Sequence, residues 1–205
     1  GLSVAWDDRF FVFLYILTKL IKPKVIIETG CNIGFSTTFT ALAVNENNNG
    51  CRFYTMDIEN AFEPDWEKAA FVKYRGQKVN FERLKTMPPP RALSMVPSDL
   101  RKHIIFLKGS SKDILPDLLE SNKDKDVDIF FHDSEHSYRN IIWENMTVFP
   151  YVKKDGYMLV HDVDFNSAFK DMYHDAALVL GDSLGIFKKT DMDGVVIKKL
   201  NSPAD

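Results

Sequence analysis

Five short apolar runs, separated by stretches of helical character, narrow the fold of this chain more than any other feature. They are Val25-Ile26-Ile27-Glu28, Cys51-Arg52-Phe53-Tyr54-Thr55-Met56-Asp57, Ile104-Ile105-Phe106-Leu107-Lys108, Val127-Asp128-Ile129-Phe130-Phe131 and Tyr157-Met158-Leu159-Val160. Near-continuous apolar runs of this length are expected of strands buried on both faces of a parallel sheet. Between them, Ser36 to Val44 reads as a crossover helix and Ser110 to Leu119 as another, with Ser110 and Asp113 at capping-box spacing. Asn140 to Phe149 reads as a third helix, ended by Pro150 and followed by a turn at Lys153-Lys154-Asp155-Gly156. Strand and helix alternating in this way imply an α/β, doubly wound sheet.

The rhythm changes at the end of the chain. Gly185 to Lys189 and Gly194 to Lys198 are joined by a short polar turn containing Asp191 and Asp193-Gly194, the spacing of an antiparallel hairpin. At the other end, Phe10 to Ile21 is apolar but short of the roughly 18 to 20 residues that span a bilayer. It reads as a buried helix, without the basic flank and cleavage site of a signal peptide.

The 205 residues, 45% of them hydrophobic, match one domain, residues 1–205, with a sizeable core. A net charge of -3 offers no cationic field for nucleic acid or anionic membrane, so neither is expected as a partner. Two cysteines, Cys31 and Cys51, are too few for a disulfide framework and fit a reducing, cytoplasmic setting. The stretch 58–103 exceeds what one crossover needs and carries Trp66, Lys73-Tyr74-Arg75 and Pro88-Pro89-Pro90. An insertion of this length is expected to be a lid, an acceptor-binding segment or a solvated loop.

The residues that carry chemistry cluster at the ends of the runs. After the first comes Glu28-Thr29-Gly30-Cys31-Asn32-Ile33-Gly34, where glycines permit positive φ and close approach of a ligand to the main chain. A helix opening near Gly34 aims its positive dipole end at that ligand. Asp57 closes the second run, where a carboxylate can accept ribose hydroxyls. Asp133, Glu135 and His136 follow the fourth run, and His161-Asp162-Val163-Asp164 follow the fifth. Neighbouring parallel strands bring such ends together at the carboxyl edge of the sheet. His103 and His132 read as structural histidines, His174 lies on an expected helix, and Tyr138 and Trp143 are either core or acceptor-pocket residues.

The pattern Glu28-x-Gly-x-x-x-Gly34, with Asp57, Gly109-Ser110-Ser111 and Phe131-His132-Asp133-Ser134-Glu135-His136-Ser137-Tyr138, resembles the successive motifs of class I S-adenosylmethionine-dependent methyltransferases. It is most similar to the small-molecule O-methyltransferase subgroup, macrocin O-methyltransferase-like and catechol O-methyltransferase-like. The resemblance runs from Val25 to Lys199 and implies a mostly parallel, seven-stranded, Rossmann-like sheet ending in an antiparallel hairpin. It also implies that Glu28 faces the methionine amino end, Gly30 and Gly34 shape the bed of the cofactor, Asp57 holds the ribose, and Ser110 and Ser111 border the adenine.

Methyl transfer to a hydroxyl needs a base in line with the attacking oxygen, and His136 is the first candidate, with Asp133 beside it against substrate or the cofactor's amino group. In metal-dependent relatives two aspartates hold the ion; Asp133 and Asp162 match them and suggest Mg2+. Val163 stands where a third ligand is usual, and Asp164 lies one residue further on. Asn32 replaces a frequent middle glycine, and Ser110 a frequent aspartate. The expected activity is methylation of a small hydroxylated acceptor of sugar or secondary-metabolite type, with a homodimer across the amino-terminal helix as an open expectation. Two alternatives stand beside it: a nicotinamide-dependent oxidoreductase, against which the two-glycine turn and the hairpin count, and a non-catalytic cofactor-binding domain.

Overall fold

The computed structural model describes residues 8–58, 73–74, 77–78, 92–93, 95–121, 126–174, 178–180 and 183–190. The five apolar runs become β1 (Val25–Thr29), β2 (Arg52–Asp57), β5 (Ile105–Lys108), β6 (Val127–His132) and β7 (Val152–Val160). A two-residue pairing of β3 (Lys73–Tyr74) with β4 (Gln77–Lys78) falls within the long insertion, and β8 (Leu178–Leu180) and β9 (Leu184–Lys188) complete the strands. The main sheet has seven strands in the order β5-β2-β1-β6-β7-β9-β8. Its first five are parallel, and β9 runs antiparallel to both β7 and β8. The chain leaves β1 toward β2 and β5 on one side and returns to β6 on the other. The carboxyl ends of β1 and β6 are therefore the switch point, where an open α/β sheet has its ligand crevice.

Alternation along the strands divides the core in two. Val25 and Ile27 of β1 join Phe130, Met158, Leu115 and Ile141 on the face covered by α3 (Ser111–Ser121), α4 (Tyr138–Val148) and α5 (Ala168–Tyr173). Ile26 joins Phe53, Ile129 and Leu159 on the opposite face, under α1 (Asp8–Ile21) and α2 (Phe35–Asn47). Each such fully buried apolar side chain contributes roughly 1.5 to 3 kcal/mol relative to exposure. The helix starts carry their own signals: Ser110 and Asp113 bond reciprocally before α3, and the Ser137 hydroxyl accepts the Asn140 N–H before α4.

Two expectations change. Helix α1 is buried on one side only, through Phe10, Leu14 and Leu17, while Val12, Ile16 and Leu20 face outward at one-turn spacing. The Lys153 to Gly156 segment is not a turn between elements but a bulge inside β7, where the register against β6 slips between Val127 and Ile129. It stays in the sheet because Asp155 donates its N–H to Lys189 and Gly156 accepts from Lys189, both at 2.9 Å. The expected antiparallel ending is present, β9 lying between β7 and β8 and antiparallel to both; Gly194 to Lys198, expected as an arm of the hairpin, lies outside the described residues, as do Trp66 and Pro88 to Pro90. Among the described residues no helix is long and apolar enough to cross a membrane.

Candidate active site

The turn after β1 needs glycine for a reason that lies across the sheet. Gly30 has φ +80, and a Cβ there would fall 2.2 Å from the carbonyl oxygen of Asp133 and 2.6 Å from the Cα of Ser134. Gly34 caps α2 at φ +96, with Val96 and Leu93 filling the space a side chain would take. Between them Asn32 adopts φ 46, a left-handed conformation that asparagine tolerates better than most residues, so it fills the place of a glycine. Its carboxamide oxygen accepts the Ile33 N–H at 2.7 Å, and its own N–H donates to Asp57 Oδ2 at 2.6 Å. Burial pushes the Asp57 carboxyl up, against the opposing pull of the Asn32 and Ile58 backbone N–H groups. The end of the long insertion rests on the same turn, because Leu93 and Met95 donate N–H bonds to the carbonyls of Asn32 and Ile33.

Glu28 lies beneath the turn and is 1% exposed. Its carboxylate accepts hydroxyl bonds from Ser36 and Thr55 at 2.6 Å and from Thr37 at 2.7 Å. Burial outweighs these bonds and raises its pKa to about 7. Cys31 is buried and its thiol is pushed upward by that burial, so it is no nucleophile. Ser110 uses its hydroxyl on Asp113 as the start of α3, and Ser111 bonds toward Glu144.

On the far side of Gly30, the ends of β6 and β7 gather two imidazoles and two carboxylates. His161 Nδ1 lies 2.9 Å from Asp133 Oδ1 and 3.4 Å from Asp162 Oδ1; His136 Nε2 lies 3.8 Å from Asp133 Oδ1 and 3.5 Å from Asp162 Oδ2. Burial lowers the pKa of His136, the two aspartates pulling the other way. Burial also disfavours the charged form of His161, but its bond to Asp133 and the charges of Asp133, Asp162 and Asp164 outweigh it, so this imidazole is raised. The rings are held by aromatic neighbours, Phe10 stacking on His161 at 4.7 Å and Phe165 on His136 at 5.8 Å. Asn166 donates to the His136 carbonyl, tying the loop after β7 to the loop after β6. Val163 packs against the core, whereas Asp164 and Glu135 stand apart from the cluster's donor contacts.

Sequence reasoning overlooked Glu144. It is fully buried on α4 and accepts from Thr29 Oγ1 and Ser134 Oγ at 2.6 Å and from Asn140 Nδ2 at 3.2 Å, with His132 Nδ1 at 2.6 Å. Burial works against the carboxylate, but His132, Ser111 and Ser134 overcome it and hold its pKa at about 2. A signal was present: Ile141, Glu144, Asn145 and Val148 form one helical stripe, so an acid at 144 had to enter the core. His132 is thus structural on its Nδ1 side, while its Nε2, like that of His103, is buried without a partner among the described residues. Trp143 packs on the core, Tyr138 is exposed, and His174 follows α5.

A family model described as a methyltransferase domain matches residues 27–163, about two thirds of the 205-residue chain. The chain belongs to that family. It is a class I S-adenosylmethionine-dependent methyltransferase.

Among solved structures it is similar to the O-methyltransferase TomG of Streptomyces achromogenes, solved with S-adenosylmethionine, at 18% identity and TM-score 0.60, covering 92% of this chain and 82% of that one. The calicheamicin methyltransferase CalS11 is similar at 18% identity and TM-score 0.62, covering 90% and 79%. The O-methyltransferase of Bacillus cereus, solved with S-adenosylhomocysteine, is similar at 16% identity and TM-score 0.56, covering 91% and 84%. No curated protein sequence matches the chain.

Proposed function

We propose that the protein methylates a hydroxyl oxygen of a small acceptor, of sugar or secondary-metabolite type, with His136 as the base. The observation that carries this reading is the contact of Gly30 with Asp133 and Ser134, which makes the glycine turn and the acid-base cluster two walls of one crevice. Family membership sets aside the nicotinamide alternative, and an intact acid-base cluster speaks against a purely binding role.

S-adenosylmethionine supplies a methyl carbon made electrophilic by its positively charged sulfur. Gly30 and Gly34 keep the bed of the crevice free of side chains, and Asp57 is the ribose acceptor. Glu28, enclosed by hydroxyls, bears on the methionine end through Ser36 and Thr37 at the start of α2. Ser110 and Ser111 border the adenine. His136, kept unprotonated at neutral pH by burial, takes the hydroxyl proton on Nε2 as the oxygen–carbon bond forms and the carbon–sulfur bond breaks. Asp133 and Asp162 stabilise the imidazolium that results. Segment 58–103 is the proposed lid or acceptor-binding element, its end already resting on the turn.

Magnesium at Asp133 and Asp162 does not suit the donors present, since it takes near-octahedral oxygen ligands and imidazole nitrogens stand between and beside these carboxylates. The two free cysteines accord with a cytoplasmic location, the charge balance with neither nucleic acid nor membrane as partner, and the outer face of α1 with a homodimer.

Calorimetry with S-adenosylhomocysteine tests the reading first: binding is expected, and its absence at millimolar ligand defeats it. Once an acceptor is found in a hydroxyl-compound screen, His136→Ala is expected to bind S-adenosylhomocysteine as before while kcat falls about 10² to 10⁴-fold. A smaller fall removes His136 from the role of base.

A further inference from the structure

We infer that Leu93 and Met95, near the end of segment 58–103, are positioning residues for the cofactor turn, and that their grip on it tightens when the cofactor binds. The inference rests on the turn from Glu28 to Gly34 being the bed of S-adenosylmethionine. The backbone N–H groups of Leu93 and Met95 donate to the carbonyls of Asn32 and Ile33, each at 2.9 Å. A planar peptide cannot turn its carbonyl without turning its N–H, so these two bonds fix both peptide planes between Asn32 and Gly34. Asn32 is held from both sides, with its own N–H on Asp57 Oδ2 at 2.6 Å and its carbonyl on Leu93.

The conformation of Leu93 is a second, independent observation. Its φ is 59, a left-handed value that leucine adopts only under compulsion from its surroundings. Close packing on Gly34 is that compulsion: a Cβ on the glycine would fall 2.6 Å from Val96 Cγ2 and 3.2 Å from the Leu93 Cα. Gly34 thus lacks a side chain for the same reason as Gly30, with a different segment lying against it. Val96 donates its N–H to the Leu93 carbonyl at 3.1 Å, and Val96 and Leu100 are buried among Ile26, Ala41 and Phe53. The clamp is therefore anchored in the core on one side and strained where it meets the turn. A backbone outlier of this kind beside a ligand bed points to a working part.

Linkage supplies the consequence. A clamp that favours the turn geometry accepting the cofactor is favoured by the cofactor in turn, by the same factor. Asp57, the ribose acceptor, also accepts the Asn32 N–H, so a ligand on Asp57 acts on the residue whose carbonyl Leu93 holds. The end of segment 58–103 is thereby tied to cofactor occupancy through the backbone of Asn32 and Ile33.

The test uses the full chain with S-adenosylhomocysteine. On saturation, amide hydrogen exchange followed by NMR should slow at Leu93 and Met95 by about tenfold or more beyond any change at Asp155 and Lys189, at the opposite edge of the sheet. Two substitutions then separate backbone from packing. Asparagine tolerates a left-handed φ, whereas β-branched valine does not. Leu93→Asn should keep the dissociation constant of S-adenosylhomocysteine within about threefold, and Leu93→Val should weaken it about tenfold or more, with circular dichroism unchanged in both. A side chain needed only for packing gives the reverse order, since valine is the apolar replacement. An equal or reversed order, or exchange at Leu93 and Met95 that bound S-adenosylhomocysteine leaves unaltered, overturns the clamp alone. A chain that binds no S-adenosylhomocysteine defeats the functional reading, and the clamp with it.

Discussion

Beneath the glycine turn, Glu28 is 1% exposed and has three hydroxyls on its carboxylate, whereas across Gly30 the Asp133, His136, His161 and Asp162 side chains remain about one quarter exposed. There His136 Nδ1 has no partner among the described residues, and Nε2 faces two carboxylates at 3.5 and 3.8 Å. The first region has spent its polar capacity inside the protein; the second has kept some in reserve. A wall that gives shape to a bound molecule gains from saturated hydrogen bonds, because these fix it. A group that must exchange a proton needs an uncommitted lone pair. Glu144 lies under both, reaching Thr29 on the turn's strand and Ser134 and His132 on the cluster's side.

The comparison can be broken most severely at the seam. Gly30→Ala combines positive φ with a Cβ 2.2 Å from the Asp133 carbonyl oxygen, which no flexible side chain can relieve. A loss of about 4 kcal/mol or more is expected, with S-adenosylhomocysteine binding abolished, and urea unfolding of the variant checks it. A variant of near-native stability means the two walls are not in contact.

Next comes the shared floor. Glu144→Gln removes the charge and one of the two acceptor oxygens that His132, Thr29 and Ser134 share, and should lower stability by about 3 kcal/mol in urea unfolding at neutral pH. The sign with pH is definite. The folded-state pKa is depressed from 4.5 to about 2, so the carboxylate's contribution is complete above 4.5 and vanishes as pH falls through 2. Wild type should lose stability over that window and the variant should lose less; equal acid slopes contradict the assignment.

Glu28 behaves in the opposite sense. Its folded-state pKa is raised from 4.5 to about 7, so its contribution is present below 4.5 and is lost as pH rises through 7. Melting temperatures of wild type should fall across this interval, and Glu28→Gln should flatten the decline. The smallest stability change belongs to His136→Ala. A ring about one quarter exposed, without a tight hydrogen bond, should leave the unfolding free energy within about 0.5 kcal/mol, even as turnover collapses. A large loss would move His136 to the saturated side of the comparison.

Much of this arrangement could be read from the chain. Runs of apolar residues located five strands, Ser110 with Asp113 marked the start of α3, and the acids at 57, 133 and 162 stood at strand ends where the crevice lies. Strand β8 was not legible, since Leu178, Val179 and Leu180 are exposed and form a strand only because β9 offers an edge. The bulge at Lys153 to Gly156 looked like a turn because its residues are turn residues, and only pairing with Lys189 keeps it in the sheet.

The glycine turn shows the division most sharply. Its glycines, its acid and the helix after it follow from local requirements of backbone and dipole, which act over a few residues and are therefore written in order along the chain. That Gly30 is compelled by Asp133, that Glu144 joins Thr29 to His132, and that His136 and His161 face the same carboxylates depend on which strands lie side by side. Sheet register sets those distances, and register comes from burying two apolar faces at once, a property of the whole core rather than of any one segment.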